Sequence, residues 1–178
     1  MKILNNRNEI INLIPEGAII VEIGVFKGEY SKVIHTSVNF KHMYLVDVFE
    51  GNTGSGDKDG ENMCYVQLED VYKSLTEFYN EKNVTLIKGY SHNVIPTFQD
   101  NFIDFIYIDA DHTYESVKRE LNSVYSKVKI GGIISGHDYC SVKFPGVVRA
   151  VIEFCTEKNL QVTYITQDKL PSFVIYKK

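Results

Sequence analysis

Two short polar stretches in this chain each follow an apolar run, and together they hold most of its candidate chemistry. After residues 105–108 come Asp109, Ala110, Asp111 and His112. After Ile133 and Ile134 come Ser135, Gly136, His137 and Asp138. Carboxylates crowded at one place raise one another's pKa, and burying them unpaired is costly. A divalent cation would remove both penalties. Oxygen-rich ligation with one imidazole suits Mg²⁺ or Mn²⁺, and a second imidazole moves the preference toward Zn²⁺ or Fe²⁺. Taken singly, an acid at a strand end also reads as a helix cap, and a lone His as a satisfied polar group. Where a proton must be moved, an ordinary imidazole, with a pKa near 6.5, suits neutral pH better than an ordinary carboxylate. A third constellation is Glu22-x-Gly24-x-x-x-Gly28. A dinucleotide fingerprint needs glycines at its first, third and sixth places; with Gly24 first, those places hold Phe26 and Glu29. A carboxylate just before the first glycine suits an ammonium or sulfonium cation better than a pyrophosphate.

The elements that must position these groups alternate strand with helix. Strands are expected at residues 18–23, 41–48, 83–89, 102–108 and 133–135, with two closing strands at 160–165 and 172–176. Helices are expected at 6–14, from 29 to about 34, at 68–79, 91–98 and 115–128, and after Pro145. This alternation implies an open, mostly parallel sheet with helices on both faces, binding ligands at the carboxyl ends of its strands. Adjacent strands would then bring Asp109 beside His137 and Asp138. Asp47, ending the second strand, stands where an acid can accept ribose hydroxyls, or where it can cap a helix. Ser91 is expected to cap the helix that follows the third long strand. Residues 50–62 contain four glycines and no large apolar side chain. They are expected not to pack as an element and to form a lid on the ligand side. Asp57, Asp59 and Glu61 lack the full spacing of a calcium loop.

A chain of 178 residues is expected to be one domain, 1–178. Its net charge of −4, with no Lys/Arg cluster, argues against nucleic acid as a partner. No apolar run is long enough for a membrane span, and the first residues lack a signal-peptide pattern. The three cysteines show no paired spacing, which fits a reducing, cytoplasmic setting.

The segment Ile-Asp-Ala-Asp-His-Thr-Tyr-Glu at 108–115, followed by Val-Lys-Ile-Gly-Gly-Ile-Ile-Ser-Gly-His-Asp-Tyr at 128–139, resembles the metal-dependent small-molecule O-methyltransferases. It is closest to the macrocin O-methyltransferase-like branch, whose members modify sugars, and it is also similar to the catechol and caffeoyl-CoA enzymes. With Glu22-x-Gly24-x-x-x-Gly28 and Asp47, the resemblance covers about residues 18–140. It implies a class I, Rossmann-like α/β fold with a seven-stranded sheet, order 3-2-1-4-5-7-6. It implies S-adenosylmethionine (SAM) as cofactor, held by Glu22, Gly24, Phe26, Gly28, Ser31, Asp47, Tyr90, Ser91 and Asp109. Tyr90 and Ser91 would lie at the adenine. The metal, Mg²⁺ or Mn²⁺, would sit on Asp109, His137 and Asp138. Where the family usually carries Asp-Asp or Asp-Asn at the end of the fifth strand, this chain has His137-Asp138. The base falls at Asp111 in one branch and at the position of His112 in another. The acceptor implied is a hydroxyl on a small sugar or polyol. The alternatives are a metal-independent enzyme of the same fold and a SAM-binding module without catalysis. Little sequence lies outside the core fold, so a second subunit of a homo-oligomer is expected to help wall the substrate pocket.

Overall fold

The computed structural model describes residues 1–55, 64–80 and 83–178. Its first half runs β1 (Lys2–Leu4), a 3-10 helix (Arg7–Leu13), β2 (Ala18–Ile23), α1 (Glu29–Ser37), β3 (Phe40–Asp47), β4 (Asn52–Ser55), β5 (Cys64–Gln67), α2 (Leu68–Phe78) and β6 (Val84–Lys88). There follow α3 (Ser91–Val94) with a 3-10 turn (Ile95–Thr97), β7 (Ile103–Ile108), α4 (Tyr114–Tyr125), β8 (Val128–Gly136), α5 (Pro145–Glu157), β9 (Val162–Thr166) and β10 (Phe173–Tyr176).

Eight strands form one sheet in the order β1-β9-β10-β8-β7-β2-β3-β6. Strands β8, β7, β2, β3 and β6 run parallel, and β10 is antiparallel to both β8 and β9. All six residues of β2 are buried, as a central parallel strand covered on both faces requires. One apolar layer joins Val21, Ile23, Ile106 and Ile108 to Leu121 of α4 and Phe154 of α5. The other joins Ile20, Phe105 and Tyr107 to Ile10 and Ile11 of the 3-10 helix, Ile34 of α1 and Leu75 of α2.

The seven strands expected from the sequence keep their order, and β1 is an eighth, parallel to β9 at the sheet edge. Three residues with no periodic signal cannot announce a strand; the free edge of β9 makes them one. The helix expected over residues 6–14 is a 3-10 helix, Arg7–Leu13, capped by the Asn6 side chain, rather than an α-helix. Strand β8 starts at Val128, where the sequence suggested the end of a helix, because Val128 pairs with Ile103 of β7, and Gly131 and Gly132 continue the strand by exchanging backbone hydrogen bonds with Lys177. Within residues 50–62, expected to pack as no element, residues 52–55 pair as β4 with β5. The remainder of the lid expectation falls on residues 56–62, which lie outside the described residues.

Candidate active site

Backbone hydrogen bonds continue past the strand ends and fix the starts of four loops side by side. Gly24 N–H donates to Val46 O (2.9 Å), Asp109 N–H to Ile23 O (2.8 Å), His137 N–H to Ile108 O (3.0 Å) and Gly89 N–H to Asp47 O (2.8 Å). This stitching sets the residues after β7 and β8 against each other. Gly24 has φ +85°, and a Cβ there would stand 2.1 Å from the Asp109 carbonyl oxygen. Its glycine is therefore demanded by the approach of two loops, as well as by the open space above it.

Two clefts open along this edge. The larger, of about 480 Å³, is lined by Gly24, Phe26, Asp47, Tyr90, Ser91, Asp109, Asp111 and Glu120, among others. The smaller, of about 290 Å³, is lined by Arg7, Glu22, Gly24, Phe26, Tyr30, Asp109 and His112, among others. They share Gly24, Phe26, Asp109 and Ala110, so one elongated ligand could lie across both.

Glu22 is buried in β2, and the Ser31 hydroxyl of α1 donates to it. Burial pushes its carboxyl up to about 8, against the pull of the Ser31 hydrogen bond. The Asp47 carboxylate accepts the backbone N–H groups of Phe26 (2.9 Å) and Phe49 (2.8 Å), which ties the glycine turn to the end of β3. Gly28 and Ser31, expected to touch the cofactor, line neither cleft. Gly28 is the left-handed residue before α1, and Ser31 holds Glu22. Ser91 is not the cap of α3: Tyr90 occupies that position, and the Ser91 hydroxyl donates instead to Glu120 (2.6 Å).

The expected acids and imidazoles do come together. One ligand atom from each of Asp109, His137 and Asp138 can be chosen so that all lie within 4.8 Å of one another. His137 Nδ1 is 3.7 Å from Asp109 Oδ1 and 3.5 Å from Asp138 Oδ1. His112 Nε2 joins them, 3.6 Å from Asp109 Oδ1 and 2.5 Å from Asp138 Oδ2. The adjacent Asp109 and Asp138 carboxylates raise the His112 imidazole to about 9, against the effect of its burial. Burial would raise the Asp138 carboxyl, but the adjacent His112 and His137 imidazoles outweigh it and hold the group well below the usual range. Asp138 also sits at φ 58°, a left-handed backbone uncommon for a side chain other than glycine. Asp111 is placed differently. Exposed, it accepts hydrogen bonds from Thr113 N–H (2.9 Å), the Thr113 hydroxyl (3.2 Å) and the Ser116 hydroxyl (2.7 Å) at the start of α4. Desolvation pulls its pKa up, and these hydrogen bonds more than reverse it.

Two residues of the site escaped the sequence reading. Arg7 stands in the smaller cleft, with Nη1 3.8 Å from Asp109 Oδ2 and its guanidinium 4.9 Å from the Tyr30 ring centre. No local pattern marks it, because β1 carries it there. Glu120 did leave a signal: an acid three residues after Val117 and next to Leu121, inside the inward stripe of α4.

A family model described as a methyltransferase domain matches residues 21–139. The chain belongs to this methyltransferase family. A curated relative, an uncharacterized protein of Acanthamoeba polyphaga mimivirus, is 30% identical over 138 residues; the match takes in 74% of this chain and 56% of the relative, so the chain spans about half of that protein's length. Among solved structures, a Streptococcus mutans protein described as a methyltransferase, in complex with SAH, superposes with a TM-score of 0.68 at 14% identity, covering 96% of this chain and 95% of that one. An rRNA methylase from Streptococcus thermophilus gives 0.65 at 12% identity, covering 96% and 93%. The O-methyltransferase NovP gives 0.66 at 21% identity, covering 97% and 79%. At these identities the likeness establishes the fold, and it is the class I SAM-dependent methyltransferase fold read from the sequence. Among the described residues, no helix is long and apolar enough to cross a membrane.

Proposed function

We propose that the chain moves the methyl group of SAM to a hydroxyl of a small molecule, a sugar or similar polyol, with a divalent ion assisting. The observation that carries this reading is the cluster of Asp109, His137 and Asp138 beside the two joined clefts. The residues present fit an ion. Among the described residues, Asp138 Oδ1 is buried without a hydrogen-bond partner, and His137 Nδ1 lies 3.5 Å from it. Lone pairs that converge without sharing a well-aligned proton are what a common cation would satisfy. Two carboxylates and one imidazole favour Mg²⁺ or Mn²⁺. The acidic balance of the chain, −4 with no basic stripe, supports a small acceptor over RNA.

In this reading Asp109, His137 and Asp138 hold the ion, which supplies Lewis acidity to lower the pKa of an acceptor hydroxyl. The chain's own residues do the rest. Beside the cofactor's cationic end, the Glu22 carboxyl would give up the proton that burial otherwise keeps on it and so supply the opposing charge, while Arg7 faces the cofactor's carboxylate. Asp47 retains lone pairs for ribose hydroxyls. His112 takes the hydroxyl proton at Nε2, because Asp111 is already engaged by Thr113 and Ser116. With Asp109 and Asp138 engaged by an ion, the charges that hold His112 protonated would be offset, leaving its Nε2 free to take the proton. The remaining contribution is alignment of oxygen, methyl and sulfur.

Methyl transfer from labelled SAM to a panel of polyol and catechol acceptors, with Mg²⁺ or Mn²⁺ and with chelator, tests the reading. Turnover should require the ion, and Asp109→Ala should abolish it while largely sparing affinity for SAH. Unchanged turnover in Asp109→Ala would remove the metal. Chelator-resistant turnover that is lost in His112→Ala would support the second reading, which the 2.5 Å approach of His112 to Asp138 favours: a metal-free His–Asp base.

A further inference from the structure

Helix α4 buries Val117, Glu120, Leu121 and Val124. Three of these are apolar core residues, and an apolar side chain at the fourth position would serve packing as well. Glu120 is 4% exposed. Its Oε1 accepts the Ser91 hydroxyl (2.6 Å), while its Oε2 is buried with no hydrogen-bond partner among the described residues. A buried acceptor left unpaired is unfavourable, and nothing in the fold explains why this one is kept. Glu120 lines the larger cleft beside Gly89, Tyr90, Ser91 and His92.

A SAM molecule lying across both clefts has its middle over the residues they share. Its cationic and carboxylate end belongs with Glu22 and Arg7, and its ribose with Asp47. The base is left for the part of the larger cleft walled by residues 89–92 and Glu120. The ring nitrogens on the polar edge of adenine accept hydrogen bonds; only the exocyclic amine donates. We propose that Glu120 Oε2 accepts a hydrogen bond from this amine, and that Glu120 thereby makes the site select adenosine over its 6-oxo counterpart, inosine. Ser91 is the positioning residue, fixing the carboxylate through Oε1. The inference rests on the SAM reading of the clefts.

Calorimetric binding of SAH and of S-inosylhomocysteine separates the two levels. Wild-type protein should prefer SAH by about 10- to 100-fold, because the 6-oxo group would meet a carboxylate oxygen instead of donating to it. Glu120→Gln keeps shape and volume and can turn an amide N–H toward the 6-oxo group, so the preference should fall to within about threefold. A purely structural Glu120 would weaken both ligands equally in this variant and leave the ratio unchanged; that result overturns the proposal while the cofactor reading stands. A wild-type ratio near one also overturns it, and needs no variant to fold. Failure of wild-type protein to bind SAH at all would overturn the cofactor reading, and this inference with it.

Discussion

Glu22 is the residue with the sharpest conflict between fold and function. It occupies a central strand among fully buried apolar neighbours, where burial holds its pKa near 8 against an ordinary 4.5. Between those two values the folded chain keeps a proton that the unfolded chain has released. Stability should therefore fall as pH rises through that window, with a slope of up to ~1.4 kcal/mol per pH unit. Glu22→Gln has no such proton to lose. Urea denaturation across the window should show the variant gaining on wild type as pH rises, and parallel curves would refute the assignment. Catalytic use of a cationic cofactor is a reason for a chain to tolerate such a group. Asp138 carries a comparable burden in its backbone, since a left-handed φ at a buried aspartate is the kind of strain that persists where a site is over-determined by its surroundings.

At the scale of elements, β1 does the least obvious work. Parallel pairing of Lys2, Ile3 and Leu4 with Tyr164, Ile165 and Thr166 aims the chain at the ligand edge, and Gln167 N–H closes the pairing on Leu4 O (3.0 Å). Three residues later Arg7 reaches Asp109. Tyr30 of α1 holds the same segment by donating its hydroxyl hydrogen to Arg7 O (3.1 Å). If β1 is the tether, damage to it should act at a distance. Arg7→Ala is expected to weaken SAH binding by about tenfold, the worth of one charge-assisted contact. Leu4→Asp, which disrupts packing at the strand without touching the clefts, should lose a similar factor. Full SAH affinity in Leu4→Asp would show that Arg7 is positioned by Tyr30 alone. Helix α4 is the counterpart on the other side of the clefts: its first turn engages Asp111, and its buried stripe carries Glu120 to Ser91.

For the whole molecule, both clefts are built from loops that leave the same edge of one sheet, so a ligand bound there fastens β2, β3, β7 and the N-terminal segment together. SAH at a hundredfold its dissociation constant should stabilise the fold by ~2.7 kcal/mol, a rise in melting temperature of roughly 5–10 °C for a chain of this size. A thermal melt without such a shift would mean the clefts do not take the cofactor. The sequence by itself located the seven long strands, its resemblance to the methyltransferases implied their order, and the two together implied the meeting of Asp109 with His137 and Asp138. The strands follow from local apolar runs, and the meeting from the rule that neighbouring parallel strands present their carboxyl ends together. It also marked Glu22, because an acid inside an apolar run stands out. Only the tertiary structure decided what each polar atom is joined to. It turned Ser91 from a cap into the partner of Glu120, bound Asp111 to the start of α4, brought His112 against Asp138, and delivered Arg7 by way of β1. Side-chain partners depend on where distant segments stop, and a three-residue strand or a rotated hydroxyl has no period to read. The fold was thus legible from repeating local pattern, while the detail of the site was set by contacts between residues far apart in the chain.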